Sequence, residues 1–299
     1  MTPPVRVRAS ACAKINLWLR VFGRDAKGYH AIESLFQLIS LADDLAVERA
    51  AAGGGVTLAG APPALGPVAE NLVVRAATRF LAAARATAGV RIELTKRIPW
   101  NAGLGGASSD AAATLAALNR LFGGPLSAGD LLELAASLGS DVPCFLAGSA
   151  LALGWGRGER LLALPALPAR PMLVVPPPAP VRTAEAYGWI DRDRGAEDTG
   201  EFAAVFRAEA FGSWASVRAH SHNDFESVVA GRLPEIGHWL DRLRATDALL
   251  VRLAGSGGAI VALYDTQAAR DAAWARLGSD QAMVCAETLT APPPLVEES

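Results

Sequence analysis

Four groups of residues in this chain combine reactive chemistry with informative spacing. The first is the glycine loop Ile98-Pro99-Trp100-Asn101-Ala102-Gly103-Leu104-Gly105-Gly106-Ala107-Ser108-Ser109-Asp110. Its glycines can take positive φ and let a ligand approach the backbone closely. Ser108 or Ser109 is a natural N-cap for the helix that follows. The free N–H groups of that first turn, at the positive end of the helix dipole, make an anion site suited to phosphate. A glycine turn with a serine cap and no ligand accounts for the same residues equally well. The second group, Lys14 and Asn16, shares one face of an alternating segment. There an amine and an amide could address one ligand together, or simply face solvent. The third, Ser140-Asp141-Val142-Pro143, reads as a capped helix start with proline in its first turn. It is also a rigid place to fix a general base. The fourth, Tyr29-His30, offers a ring for stacking and a hydrogen-bonding donor or acceptor.

The elements around these groups follow from periodicity. Ile15, Leu17, Leu19 and Val21 alternate with Lys14, Asn16, Trp18 and Arg20, which predicts a strand with the first four facing one way. After the loop Gly23-Arg24-Asp25-Ala26-Lys27-Gly28, a second long strand spans Ile32 to Leu41. Residues 50–69 are mainly Ala, Gly and Pro around a short Val56-Thr57-Leu58 strand and form an excursion. Glu70-Asn71-Leu72 opens a helix to about Ala86, and Val90, Ile92 and Leu94 mark the strand before the glycine loop. A helix from about Ser108 to Phe122 ends at Gly123-Gly124-Pro125, and Ser127 caps another to Leu138. Gly154 to Leu161 turns into a further strand, and a boundary falls at about Pro165 to Ala169. Beyond it come the strand Met172–Val175, a helix capped by Thr183 carrying Tyr187 and Trp189, and a charged loop from Asp191 to Gly200. A helix follows His220 to Glu226, another carries Trp239, and Gly255-Ser256-Gly257 runs into a buried strand. The tail from Ala291 to Ser299 is expected to fray.

Composition narrows the function. A 51% hydrophobic, 19% charged chain has ample core material, and a net charge of −2 gives no reason to expect nucleic acid or an anionic membrane. Anion binding must then be local. Cys12, Cys144 and Cys285 match neither a disulfide framework nor zinc spacing, which suits a reducing cytosol. The N-terminus has no apolar signal core, and the apolar region at about 131–153 is too interrupted by Glu133, Ser140, Asp141 and Pro143 to span a bilayer. His220 and His222 lack a third ligand at metal spacing, so no metal-ligating side chains are assigned. There is no P-loop, no G-x-G-x-x-G fingerprint and no protein-kinase signature.

Six motifs, in order along nearly the whole chain, carry a more specific signal. They are Ala13-Lys14-Ile15-Asn16-Leu17, Gly28-Tyr29-His30, Glu70-Asn71-Leu72, the glycine loop with Ser108-Ser109-Asp110-Ala111-Ala112, Gly139-Ser140-Asp141-Val142-Pro143 and Gly255-Ser256-Gly257. In these the chain resembles the GHMP superfamily of small-molecule kinases, named for galactokinase, homoserine kinase, mevalonate kinase and phosphomevalonate kinase. Lys-Ile-Asn with Gly-Tyr-His resembles the branch acting on a cytidine diphosphate-linked polyol in isoprenoid precursor synthesis. Asn101-Ala102 and Ala107 stand where the family usually shows more glycine, and Ser140 where alanine is common.

The resemblance implies an α+β fold of two domains. Residues 1–167 would be the N-terminal α/β ATP-binding domain, 168–290 a C-terminal ferredoxin-like α/β domain and 291–299 a tail, with the active site in the cleft between domains. It implies ATP and Mg²⁺ as cofactors, a cytoplasmic enzyme, and transfer of the γ-phosphoryl group to a hydroxyl of the polyol. Asp141 would be the general base and Lys14 would stabilise charge on the phosphoryl group. Asn71, Leu72 and the run Pro99, Trp100, Asn101, Ala102, Gly103, Leu104, Gly105, Gly106, Ala107, Ser108 and Ser109 would bind nucleotide. Asn16, Tyr29, His30, Thr183 and Tyr187 would bind the acceptor, with His30 at the cytosine edge. The partners are small molecules; monomer and homodimer are both open. Another kinase of the superfamily, or an inactive nucleotide-binding sensor on the same scaffold, would share the loop.

Overall fold

A computed structural model of the chain describes residues 4–177, 181–194, 208–278 and 282–298. It is built on two sheets. Strands β1 (Arg6–Arg24) and β2 (His30–Ala52) form one long antiparallel hairpin. The second half of β2 pairs with β4 (Ala88–Thr95), which pairs in parallel with β3 (Val56–Ala59). The first half of β2 pairs instead with β5 (Leu151–Gly156), and β5 with β6 (Arg160–Leu164). On the edge away from β1, β2 thus serves two partners in turn, and Lys14 and Asn16 lie across from Leu38 and Phe36 at the end of the β5-paired half.

The alternation expected along β1 is broken by register shifts between Cys12 and Lys14 and between Asn16 and Trp18. Bulges re-aim side chains and are common beside functional sites. Here the second shift turns Trp18 into the same buried cluster as Ile15 and Leu17, while Leu19 and Val21 enter a different cluster.

Helices α1 (Leu72–Ala83), α2 (Gly106–Leu121) and α3 (Ala128–Leu138) cover one face of the first sheet. Phe80, Leu115 and Leu118 pack there with Val47 and Ile92. Asn71 caps α1, its side chain accepting from Val73 N–H, and Ser127 and Asp130 form a capping box on α3. The expected Ser140/Asp141 cap is not used. The segment forms a short 3₁₀ turn, Pro143–Leu146, with no side-chain cap, so the Asp141 carboxylate is left to face the cleft.

The second sheet comprises β7 (Pro171–Val175), β8 (Leu250–Leu253), β9 (Ile260–Leu263) and β10 (Val284–Glu287), all antiparallel in the order β10-β7-β9-β8. Numbered within the sheet this is 4-1-3-2, the ferredoxin-like order. Helices α4 (Thr183–Arg194), α5 (Trp214–His220), α6 (Asp224–Arg232), α7 (Pro234–Arg244) and α8 (Gln267–Leu277) accompany it. The charged residues Asp191–Arg194 finish α4 rather than forming a loop; the remainder of that expected loop, 195–200, lies outside the described residues. One core joins the two sheets, with Ile15, Leu17 and Leu35 packing with Met172, Val174 and Val261.

The tail corrects an expectation. Val296–Glu298 forms β11, antiparallel to β1, instead of fraying. Glu298 pairs with Arg8 and lies 3.6 Å from Arg6, and Glu297 pairs with Arg120. A terminus stays ordered where backbone pairing ties it down.

Candidate active site

The glycine loop and Gly255-Ser256-Gly257 meet backbone to backbone. Ala259 N–H donates to the Ala102 carbonyl at 3.3 Å. Gly103 has φ +80°, and a Cβ there would fall 1.8 Å from the Ala254 carbonyl oxygen; one on Gly257 would fall 2.3 Å from Gly103 N. No side chain fits between the loops. Gly103→Ala is therefore expected to lower the melting temperature and raise the KM for ATP several-fold, since both the steric clash and the left-handed φ oppose it. Thermal denaturation with ATP titration checks this; an unchanged melting temperature and KM would show that the contact is dispensable.

Gly105, with φ 72°, is the N-cap of α2, and no side chain caps that helix. This corrects the assignment of Ser108 or Ser109 as cap. Ser109 is buried; its hydroxyl donates to the Cys12 carbonyl at 2.6 Å and its N–H to the Gly105 carbonyl. Ser108 lines the cleft. Asn101 takes φ 53°, a conformation asparagine tolerates better than most residues.

Lys14 is the hub. Only 4% exposed, its Nζ donates to Asn16 Oδ1 at 2.8 Å and to the Gly103 carbonyl at 2.9 Å, and lies 3.5 Å from Asp141 Oδ2. Asn16 Nδ2 donates to Ser34 Oγ at 2.7 Å, and Ser34 to the Trp18 carbonyl at 2.9 Å, which fixes the amide's orientation. Burial of both residues removes the reading of an ordinary exposed strand face.

These groups open on a cleft of about 440 Å³, lined also by Asn71, Leu72, Trp100, Thr183, Tyr187 and Ser256. Ser256 Oγ donates to Thr183 Oγ1 at 3.1 Å, tying α4 to the second glycine loop. Tyr187 stacks on His30, centroids 4.9 Å apart, and meets Phe225 edge-on. Burial, and secondarily the charge of Asp141, push the Tyr187 phenol upward, so it stays protonated.

Tyr29 and His30 do not line this cleft. His30 Nδ1 donates to the Phe22 carbonyl at 2.7 Å and Nε2 lies 3.0 Å from Asp191 Oδ1 without hydrogen-bond geometry. Tyr29 sits exposed at the hairpin end.

A buried charge cluster beside the loop was not anticipated. Lys96 Nζ donates to Asp43 and, at 2.7 Å, to Asp110 Oδ2. Asp43 also accepts the N–H groups of Arg97 and Ile98, whereas Asp110 Oδ1 has no partner. One ammonium cannot neutralise two buried carboxylates. Burial raises the Asp110 carboxyl to about 7, helped by Asp43 and opposed by Lys96.

Residues 71–149 match the GHMP kinases N terminal domain and 202–281 the GHMP kinases C terminal domain. The 4-diphosphocytidyl-2-C-methyl-D-erythritol kinase of Solibacter usitatus is 42% identical over 273 residues, covering 90% of this chain and 85% of the relative. The chain belongs to the GHMP kinases. The enzyme of the same name from Pelotomaculum thermopropionicum is 40% identical over 283 residues, covering 94% and 98% of the two chains. A crystal structure of 4-(cytidine 5'-diphospho)-2C-methyl-D-erythritol kinase matches with a TM-score of 0.76 and 36% identity, over 94% of this chain and 98% of that one. Homoserine kinase from Cytophaga hutchinsonii, 17% identical with a TM-score of 0.68 over 99% of this chain and 98% of that one, shares the fold. As a GHMP kinase the chain is a phosphotransferase that uses ATP. No helix among the described residues is long and apolar enough to cross a membrane.

Proposed function

We propose that this chain transfers the γ-phosphoryl group of ATP to the 2-hydroxyl of 4-diphosphocytidyl-2-C-methyl-D-erythritol, in the non-mevalonate route to isoprenoid precursors. The observation that carries the reading is Lys14, which joins the glycine loop, through the Gly103 carbonyl, to the Asp141 carboxylate. The substrate follows from relatives about 40% identical over most of the chain.

Phosphoryl transfer asks the protein for positioning and charge neutralisation. Asp141 accepts the proton of the attacking hydroxyl. Lys14 neutralises charge on the transferring group, and Asn16, fixed by Ser34, orients the acceptor. The uncapped first turn of α2 and residues Gly103 to Ser108 hold the phosphates, and Asn71 and Leu72 border the adenine. Ser108, an oxygen donor at the cradle, suits a hard cation and would help hold Mg²⁺, which would supply charge neutralisation for the phosphates. Tyr187 and Thr183 form the acceptor side of the cleft, His30 backs it by stacking on Tyr187, and Tyr29 lies beyond it at the hairpin end, so that the cytosine would sit against the rings. Domain limits near 167 and 290 are part of this reading, and the change of sheet between β6 and β7 and between β10 and β11 supports them. The three cysteines carry no disulfide, which supports placing the reaction in the reducing cytosol.

A panel of acceptors with γ-labelled ATP tests this reading. The cytidyl polyol should be turned over in preference to homoserine, mevalonate and galactose. Preference for any of those three would assign the chain to another branch, and no turnover with any acceptor would favour a sensor.

A further inference from the structure

Tyr29 is 57% exposed, yet its backbone is tied to Asp25 and one face of its ring is covered by Arg157. Its N–H and that of Lys27 both donate to Asp25 Oδ1 at 2.9 Å, which folds the hairpin loop around one carboxylate. The other oxygen of Asp25 accepts from Arg157 Nη2 at 2.8 Å. The guanidinium carbon of Arg157 lies 3.9 Å from the centroid of the Tyr29 ring, within cation–π range. The pairing with Arg157 is the main reason the Asp25 carboxyl is lowered, to about 2, so the pair stays charged.

Arg157 comes from the turn between β5 and β6, whose own geometry is fixed by Glu159 accepting the Arg157 N–H at 2.7 Å. That turn also reaches the proposed base: a Cβ on Gly158 would lie 3.9 Å from Asp141 Oδ1. A second cavity, of about 480 Å³, runs between these parts, lined by Asp25, Lys27, Ser140, Arg157 and Arg160. The turn that holds the ring at the hairpin end therefore also runs beside the residue that takes the proton.

We propose that Arg157 is a positioning residue, clamping one face of Tyr29 so that the opposite face is presented, preordered, to the pyrimidine ring of a nucleoside diphosphate substrate. The proposal rests on the cytidyl-acceptor reading above. A free, exposed tyrosine loses side-chain freedom when a base stacks on it; a clamped one has already lost it. Asp25 holds the guanidinium over the ring, which is how Arg157 acts on the stacking face.

The test is steady-state kinetics with both substrates on Arg157→Ala, Arg157→Lys, Tyr29→Ala and the Arg157→Ala/Tyr29→Ala double variant. Arg157→Ala is expected to raise the KM for the cytidyl acceptor about 2- to 10-fold, the range set by ordering one side chain, with kcat and the KM for ATP unchanged. Arg157→Lys keeps a cation over the ring and should recover part of the loss. The double variant should be no worse than Tyr29→Ala, because without the ring the clamp has nothing to hold. An unchanged acceptor KM in Arg157→Ala, or equal losses for acceptor and ATP, would overturn the proposal. So would additive losses in the double variant, which would mean that Arg157 meets the substrate directly. If Tyr29→Ala leaves the acceptor KM unchanged, it is the stacking role of Tyr29 in the parent reading that fails.

Discussion

Replacing Asp141 with asparagine should lower kcat by about 10²–10⁴, the range for loss of a positioned general base, with ATP binding nearly unchanged. The substitution is conservative for the fold. Asp141 caps no helix, its side chain is about a third exposed, and asparagine retains an oxygen that can face Lys14. What asparagine cannot do is accept the proton of the attacking hydroxyl. Near wild-type turnover would remove Asp141 from the base role. A large rise in the KM for ATP with kcat preserved would make it a nucleotide ligand instead.

Lys14→Ala should have the second largest effect, lowering kcat by about 10²–10³, the loss typical when one preorganised donor to a developing charge is removed. Its buried ammonium donates to the side chain beside it and to the glycine loop across the cleft, so its position is set before any substrate arrives. The same geometry predicts a stability cost, because truncation leaves Asn16 Oδ1 and the Gly103 carbonyl short of a donor, at about 1–3 kcal/mol for each group left unsatisfied. Kinetics must therefore be read on protein shown to be folded by thermal denaturation. A change confined to the KM for ATP would make Lys14 a binding residue only.

Features legible in the sequence were those written in local chemistry. Ser127 marked the start of α3 and Glu70-Asn71-Leu72 the opening of α1, where the structure places the Ser127 and Asn71 caps. The glycine loop, Lys14 with Asn16, and Asp141 were found from residue type and spacing, and the fold brings all of them to one cleft. The features that were missed depend on partners distant in the chain. Lys96 binds Asp43 from 53 residues away, and no periodicity announces such a pair, although an aspartate within the apolar strand β2 was a usable signal. The bulges that bury Trp18 arise from pairing between β1 and β2, not from either strand alone. Tail residues Glu297 and Glu298 looked like solvated charge because their arginine partners, Arg8 and Arg120, lie far away in sequence. Ser109 looked like a cap, but Gly105 holds that position and the Ser109 hydroxyl donates to the Cys12 carbonyl.

The most direct test of the central claim is to incubate the protein with ATP, Mg²⁺ and 4-diphosphocytidyl-2-C-methyl-D-erythritol and follow the phosphorus resonances. The expected result is one new phosphomonoester at the 2-hydroxyl, formed one-for-one with ADP and nearly abolished in Asp141→Asn. ADP released without that ester, or phosphate placed on another hydroxyl, would contradict the account.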